Sequence, residues 1–199
     1  MTPKLGVAPL RREQIVRATI RCLAREGYSG LTMKKVARQA GVSQGILHYY
    51  FADKRAILVA VLQRVMADLD RRVVRETRGA RDPRQQLRAL IGACLSVATE
   101  AREFWMVFVE FWGEMMHDRT LLRVNAELYE RTRRIIGAVV SRGVREGAFR
   151  KVRPDEAGAV ILALVDGLSL QVTFDPAAFS LARAKRICED TVWRYLGKE

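Results

Sequence analysis

Residues 31–54 read LTMKKVARQAGVSQGILHYYFADK, and this stretch decides the fold. Thr32 stands where an N-cap belongs, Gly41 can end the helix that follows, and Ser43 can cap a second, shorter helix reaching about Tyr50. Val36, Ala37, Val42 and Leu47 recur at spacings that lock the two helices together, and Phe51 adds to the same core. Two helices joined by a four-residue turn containing glycine, the second short enough to enter a major groove end-on, are laid out as a helix-turn-helix. The N-terminus of the second helix also offers free backbone N–H groups to a phosphate.

Charge points the same way. The chain of 199 residues carries 35 Lys or Arg against 22 Asp or Glu, a formal net charge of +13. Residues 1–55 alone hold eleven basic residues against three acidic ones. So concentrated an excess implies a polyanionic partner, nucleic acid first and an anionic membrane surface second, because lysine and arginine gain free energy by displacing counterions from phosphates.

Working outward, a first helix over about 10–26 puts Ile15, Ala18, Cys22 and Leu23 on one face and Arg17, Arg21 and Arg25 on the other, with Gly27 as its stop. After the motif, Asp53 caps a long helix whose Leu58, Val61, Leu62, Val65, Leu69 and Val73 form one apolar face. Beyond a break at residues 79–83, the 3.6-residue period predicts helices over 83–101, 103–117, 119–146, 154–173 and 177–196. No strand-like alternation of any length interrupts them. The predicted fold is all-α: a three-helix head over 1–53 and a larger helical body over 54–199, about nine helices in all.

The motif carries a resemblance. Residues 41–54, GVSQGILHYYFADK, nearly reproduce the signature GVSxGxLYxYFxxK of the tetracycline-repressor (TetR) family. The departure is His48, where the family has tyrosine. What the resemblance implies is a two-domain homodimer that binds a palindromic double-stranded DNA operator and releases it when a small molecule enters the body. The candidate DNA-contacting residues are Thr32, Lys34, Lys35, Ser43, Gln44, Gly45, Ile46, His48, Tyr49, Tyr50 and Lys54. Glutamine can pair bidentately with adenine, and His48 lies one turn further along the same face, so Gln44 and His48 are the candidate base readers. Tyr49, Tyr50 and Lys54 suit the backbone, which positions a reader without specifying sequence.

In the body, residues 104–116, FWMVFVEFWGEMM, concentrate two tryptophans, three phenylalanines and three methionines. A helix apolar on most of its surface is what a buried core produces. The same residues also suit a ligand cage, because Asp166 interrupts the apolar run ILALV, and aromatic faces with a carboxylate bind organic cations. Trp105, Phe108, Phe111, Trp112 and Asp166 are the candidate effector residues. The chain is also similar to the choline-responsive repressors of betaine synthesis within the same family. The residues that carry this are PKLG at 3–6, Arg11-Arg12, Phe111-Trp112, Met116-His117 and ALVDGL at 163–168. That resemblance implies a quaternary ammonium effector.

Other readings are set against these. Residues 41–45, GVSQG, fit the G-x-S-x-G nucleophile elbow of a hydrolase, but that elbow needs a strand before the serine, and a helix is predicted there. With two histidines and three scattered cysteines, Cys22, Cys94 and Cys188, no catalytic triad, disulfide framework or metal site is expected, and no cofactor. The cysteines read as core residues of a reducing cytoplasm. The N-terminal residues lack the apolar segment of an export signal, so neither export nor membrane insertion is expected. The rival function is a basic scaffold or membrane-surface protein that uses the charge without reading a sequence.

Overall fold

The computed structural model describes residues 7–100, 112, 113 and 115–197. Among them every regular element is helical. In chain order these are α1 (Val7–Gly30), α2 (Met33–Ala40), α3 (Gln44–Tyr50), α4 (Lys54–Thr77), α5 (Pro83–Glu100), α6 (Arg119–Arg145), α7 (Pro154–Phe174) and α8 (Leu181–Leu196). The chain forms two compact units, Met1–Ala67 with Glu103–Val124, and Asp68–Arg102 with Asn125–Glu199. Most of the helix predicted over 103–117 lies outside the described residues.

In the first unit, the apolar stripe of α1 is buried as its spacing requires: Ile15 and Ala18 are fully covered, and Cys22 and Leu23 nearly so. Val36, Ala37 and Ala40 of α2, Leu47 of α3, Phe51, and Leu58, Val61 and Leu62 of α4 complete the core. Regular α1 geometry breaks at Gly27, with φ 68°. Gln14 ties α1 to the end of α2 by donating from Nε2 to the Ala40 carbonyl at 2.6 Å.

The second unit is a layered bundle of α5, α6, α7 and α8. Leu87, Ile91 and Leu95 of α5 meet Ile136 and Val140 of α6, Ile161 and Val165 of α7, and Val192 and Leu196 of α8. α7 has the length and apolarity to cross a membrane, with mean hydropathy 1.7 over its apolar window, and half of that window is buried in the unit. Its apolar residues therefore serve the core. Where α6 and α7 cross, Gly158 leaves no room for a side chain, since a Cβ there would stand 2.5 Å from the Arg133 carbonyl oxygen.

One expectation needs correction. The last helix starts at Leu181, because Asp175 Oδ1 accepts from Ala178 N–H at 3.0 Å in a separate turn and Ser180 then caps α8 at 3.3 Å. Leu168 of α7 and Val192 and Leu196 of α8 are buried inside their own unit.

Candidate nucleic-acid interface

The local chemistry of residues 32–53 follows from caps. Thr32 Oγ1 accepts from Lys35 N–H at 3.3 Å and Ser43 Oγ from Ile46 N–H at 3.2 Å. Asp53 Oδ1 accepts from Ala56 N–H at 2.7 Å, opening α4. Each such cap is worth about 1 kcal/mol to a helix that cannot persist alone at seven or eight residues. Between α2 and α3, Gly41 adopts φ 64°, ψ 37°, and its N–H bonds to the carbonyls of Ala37 and Arg38. That left-handed geometry costs a side-chain-bearing residue roughly 1 kcal/mol, which is why the turn takes glycine. Ser43 is thus preceded by a helix and engaged as a cap, not poised on a strand as a nucleophile.

α3 is held by one fully buried residue, Leu47, and presents the rest outward. Ser43, Gln44, Gly45, Ile46, His48 and Tyr49 are exposed, Tyr49 by 82%, while Tyr50 is half-buried and packs edge-on to Tyr49 at 5.1 Å. His48 Nδ1 lies 3.3 Å from the Ala52 carbonyl oxygen. A carbonyl only accepts, so Nδ1 is the donor in this contact, and a ring with one proton then has Nε2 as its acceptor.

The basic candidates divide into two groups. Lys34 is exposed and Thr32 stands exposed beside it. Lys35 instead donates to the Gly30 carbonyl at 2.9 Å and pairs with Glu26, whose carboxyl the Lys35 hydrogen bond holds below the usual range. Lys54 donates to the Tyr28 carbonyl at 2.8 Å and sits 3.6 Å above the Tyr28 ring, pinning the start of α4 to the end of α1. Glu13 receives Arg17 at 2.8 Å and Arg64 at 2.7 Å. Burial raises the Glu13 carboxyl, but those two arginines outweigh it and hold it below its ordinary value.

Of the effector candidates, Trp105, Phe108 and Phe111 lie outside the described residues, and Trp112 is half-buried in the first unit. Asp166 belongs to the second unit, on α7. Burial lifts its carboxyl to about 6, and the hydrogen bond donated by the Tyr129 hydroxyl of α6 works in the opposite direction. The Tyr129 phenol is raised in turn, by burial first and by the Asp166 charge second. Tyr129 carries no motif, and only the packing of α6 on α7 reveals it. Nearby, burial pushes the Cys94 thiol up to about 12, with the charge of Asp166 adding to it. All three cysteines are buried thiols, and no group of three metal-ligating side chains occurs among the described residues.

Comparison with known proteins accords with this geometry. The family described as "Bacterial regulatory proteins, tetR family" matches residues 15–61, and "BetI-type transcriptional repressor, C-terminal" matches residues 83–197. The HTH-type transcriptional regulator BetI of Paraburkholderia phytofirmans is 32% identical over 194 residues, covering 96% of this chain and 95% of that protein. BetI of Burkholderia thailandensis is 32% identical over 191 residues, at the same two coverages. Among solved structures, a transcriptional regulator from Saccharomonospora viridis in complex with choline superposes with a TM-score of 0.86 at 26% identity, over 96% of this chain and all of that one. A head matching one family, a body matching its BetI-type branch and relatives matched end to end leave one conclusion: the chain belongs to the TetR family of bacterial regulators and is a DNA-binding transcriptional repressor of BetI type, not an enzyme.

Proposed function

We propose that α3 enters the major groove of a palindromic operator, reads base edges with Gln44 and His48, and is released when an organic cation binds the body. The observation that carries the reading is the makeup of α3: seven residues, one buried anchor and an otherwise outward-facing polar surface. Nε2 of His48, as an acceptor, suits the N4 amine of cytosine or the N6 amine of adenine, and exposed Ile46 suits a thymine methyl. Tyr49, Tyr50, Thr32 and Lys34 then contact phosphates. Lys54, at the start of α4, adds its positive charge beside these contacts. TetR and BetI regulators are dimers that bind DNA operators and small-molecule effectors, and a palindrome requires twofold symmetry. On this chain the exposed apolar face of α7, with Val160 and Phe174, suits the twofold contact.

For the effector, a quaternary ammonium compound fits Asp166, a half-buried carboxylate with one neutral hydrogen-bond partner and thus a site for positive charge. Choline in the Saccharomonospora viridis relative supports the same chemistry. The working compartment is the cytoplasm, where such regulators meet DNA.

The test is selection of binding sites from random duplexes by the full chain, followed by competition. The recovered palindrome should outcompete random DNA by roughly 10³ or more. Gln44→Ala should relax one position per half-site at about 1–3 kcal/mol. Equal binding to every duplex overturns the reading in favour of a charge-driven scaffold.

A further inference from the structure

The carboxylates of the head are unevenly distributed. Between residues 7 and 52 there are two, Glu13 and Glu26. Glu13 pairs with Arg17 and Arg64, and Glu26 pairs with Lys35. Arg12 lies over the Phe51 ring at 5.0 Å. Arg21 and Arg25 of α1 and Lys34 and Arg38 of α2 are all exposed, and no carboxylate lies within ion-pair distance of any of them among the described residues.

Three of these cations share one neighbourhood, and Lys34 lies one turn from the third along α2. α1 and α2 meet where the Cys22 thiol reaches the Lys35 carbonyl at 3.9 Å. Burial and Glu26 raise that thiol, while Arg25, Arg21 and Arg38 all act on it in the opposite sense, so the three guanidinium groups border a single seam. Arg25 and Arg38 also act on Glu26. Arg21 and Arg25 stand one helical turn apart, as do Lys34 and Arg38, which sets two pairs of cations side by side on adjacent helices.

Like charges held together in this way repel one another, and the fold offsets this only in part, through the more distant attraction of Glu26 for Arg25 and Arg38 and the place of Arg38 in the last turn of α2. A phosphate backbone does. In a docked helix-turn-helix the first helix of the motif crosses the backbone while the second enters the groove, which carries the exposed side of α2, and α1 beside it, toward phosphate. We propose that Arg21, Arg25 and Arg38, together with Lys34, form a second phosphate-binding surface, separate from the reading face of α3, that takes the backbone of duplex DNA flanking the bases α3 reads. This inference rests on the operator-binding reading above. The surface adds affinity without sequence preference, since phosphate contacts are the same at every base pair.

The experiment uses the full chain and the duplex it recovers from a random pool, with anisotropy titrations between 50 and 200 mM salt. The variant Arg21→Gln/Arg25→Gln/Arg38→Gln should keep the wild-type base preferences while the slope of log K against log salt falls by roughly 5 per dimer, at about 0.9 for each of six lost contacts. The corresponding triple Arg→Lys variant should hold the wild-type slope. If the triple Gln variant does not fold by circular dichroism, Arg25→Gln alone serves, with a slope lower by about 2 per dimer. A recovered palindrome bound by the Gln variant with unchanged slope overturns this inference alone, and so does an altered base preference. A wild-type chain that recovers no sequence overturns the operator-binding reading instead.

Discussion

Replacing Asp166 by asparagine should stabilise the protein at neutral pH, because the native carboxylate is ionised where its surroundings favour the neutral form. Burial lifts it from 3.8 to about 6. At 1.36 kcal/mol for each tenfold change in proton affinity, that difference corresponds to roughly 3 kcal/mol. The folded-state value is raised, so the favourable contribution is complete below about pH 4 and is lost as pH rises through 6. Asparagine keeps the shape and an Oδ1 that accepts the Tyr129 hydroxyl, and it has no charge to desolvate at any pH. Urea unfolding at a fixed protein concentration should therefore find Asp166→Asn more stable than wild type by roughly 3 kcal/mol at pH 7.5 and by about 0.5 kcal/mol at pH 4. The comparison within each pH cancels the titration of every other group. A stability difference of the same size at both values would falsify the claim that this carboxylate is desolvated in the fold. A carboxylate that costs stability at working pH is retained for another reason, and a cationic effector supplies one.

Further outcomes follow from named groups. Choline affinity, measured by calorimetry, should weaken as pH falls through 6, approaching tenfold per pH unit as Asp166 takes up its proton; affinity that is flat from pH 7.5 to 5 speaks for an effector held without this carboxylate. Gly158→Ala should cost about 3 kcal/mol in denaturant unfolding, since its Cβ would meet the Arg133 carbonyl at 2.5 Å and a backbone cannot step aside. Gly41→Ala has open space around it and should cost only about 1 kcal/mol, the penalty of φ 64° for a residue with a side chain; equal losses at the two glycines would contradict the distinction between a steric and a conformational cause.

The parts legible in the sequence are those whose physics is local. Thr32, Ser43 and Asp53 are capping residues that announce their helices, and Gly41 marks a left-handed turn, because each needs only its own neighbours to act. The 3.6-residue period likewise locates α4, α6 and α7 to within a residue or two. It tells which face is apolar and nothing about what covers that face, which is why Leu168, Val192 and Leu196 turn out to lie inside their own unit. Asp175 and Ser180 are both competent caps, and the structure uses both. Partners distant in sequence leave no trace in it: Lys54 with Tyr28, Glu13 with Arg64, and Asp166 with Tyr129 depend on helix packing alone.

If Asp166 holds the effector as proposed, Tyr129 is the group placed to report on it. Tyr129 lies on α6 and Asp166 on α7, both within the second unit. A cation paired with Asp166, which is already ionised at neutral pH, would draw on the same carboxylate oxygens that accept from the Tyr129 hydroxyl and so alter that hydrogen bond. On the effector site proposed above, binding at Asp166 would thereby be felt by α6. Tyr129→Phe removes the hydroxyl and keeps the ring, and without its opposing hydrogen bond the Asp166 carboxyl should rise further. The variant should still bind choline, while the ratio of operator affinities measured without and with choline moves toward one. Linkage makes the check reciprocal: choline should then bind the free and operator-bound repressor with nearly equal affinity, where wild type distinguishes them. A Tyr129→Phe protein whose affinity ratio matches wild type would show that the effector reaches the head by a route that bypasses this hydroxyl.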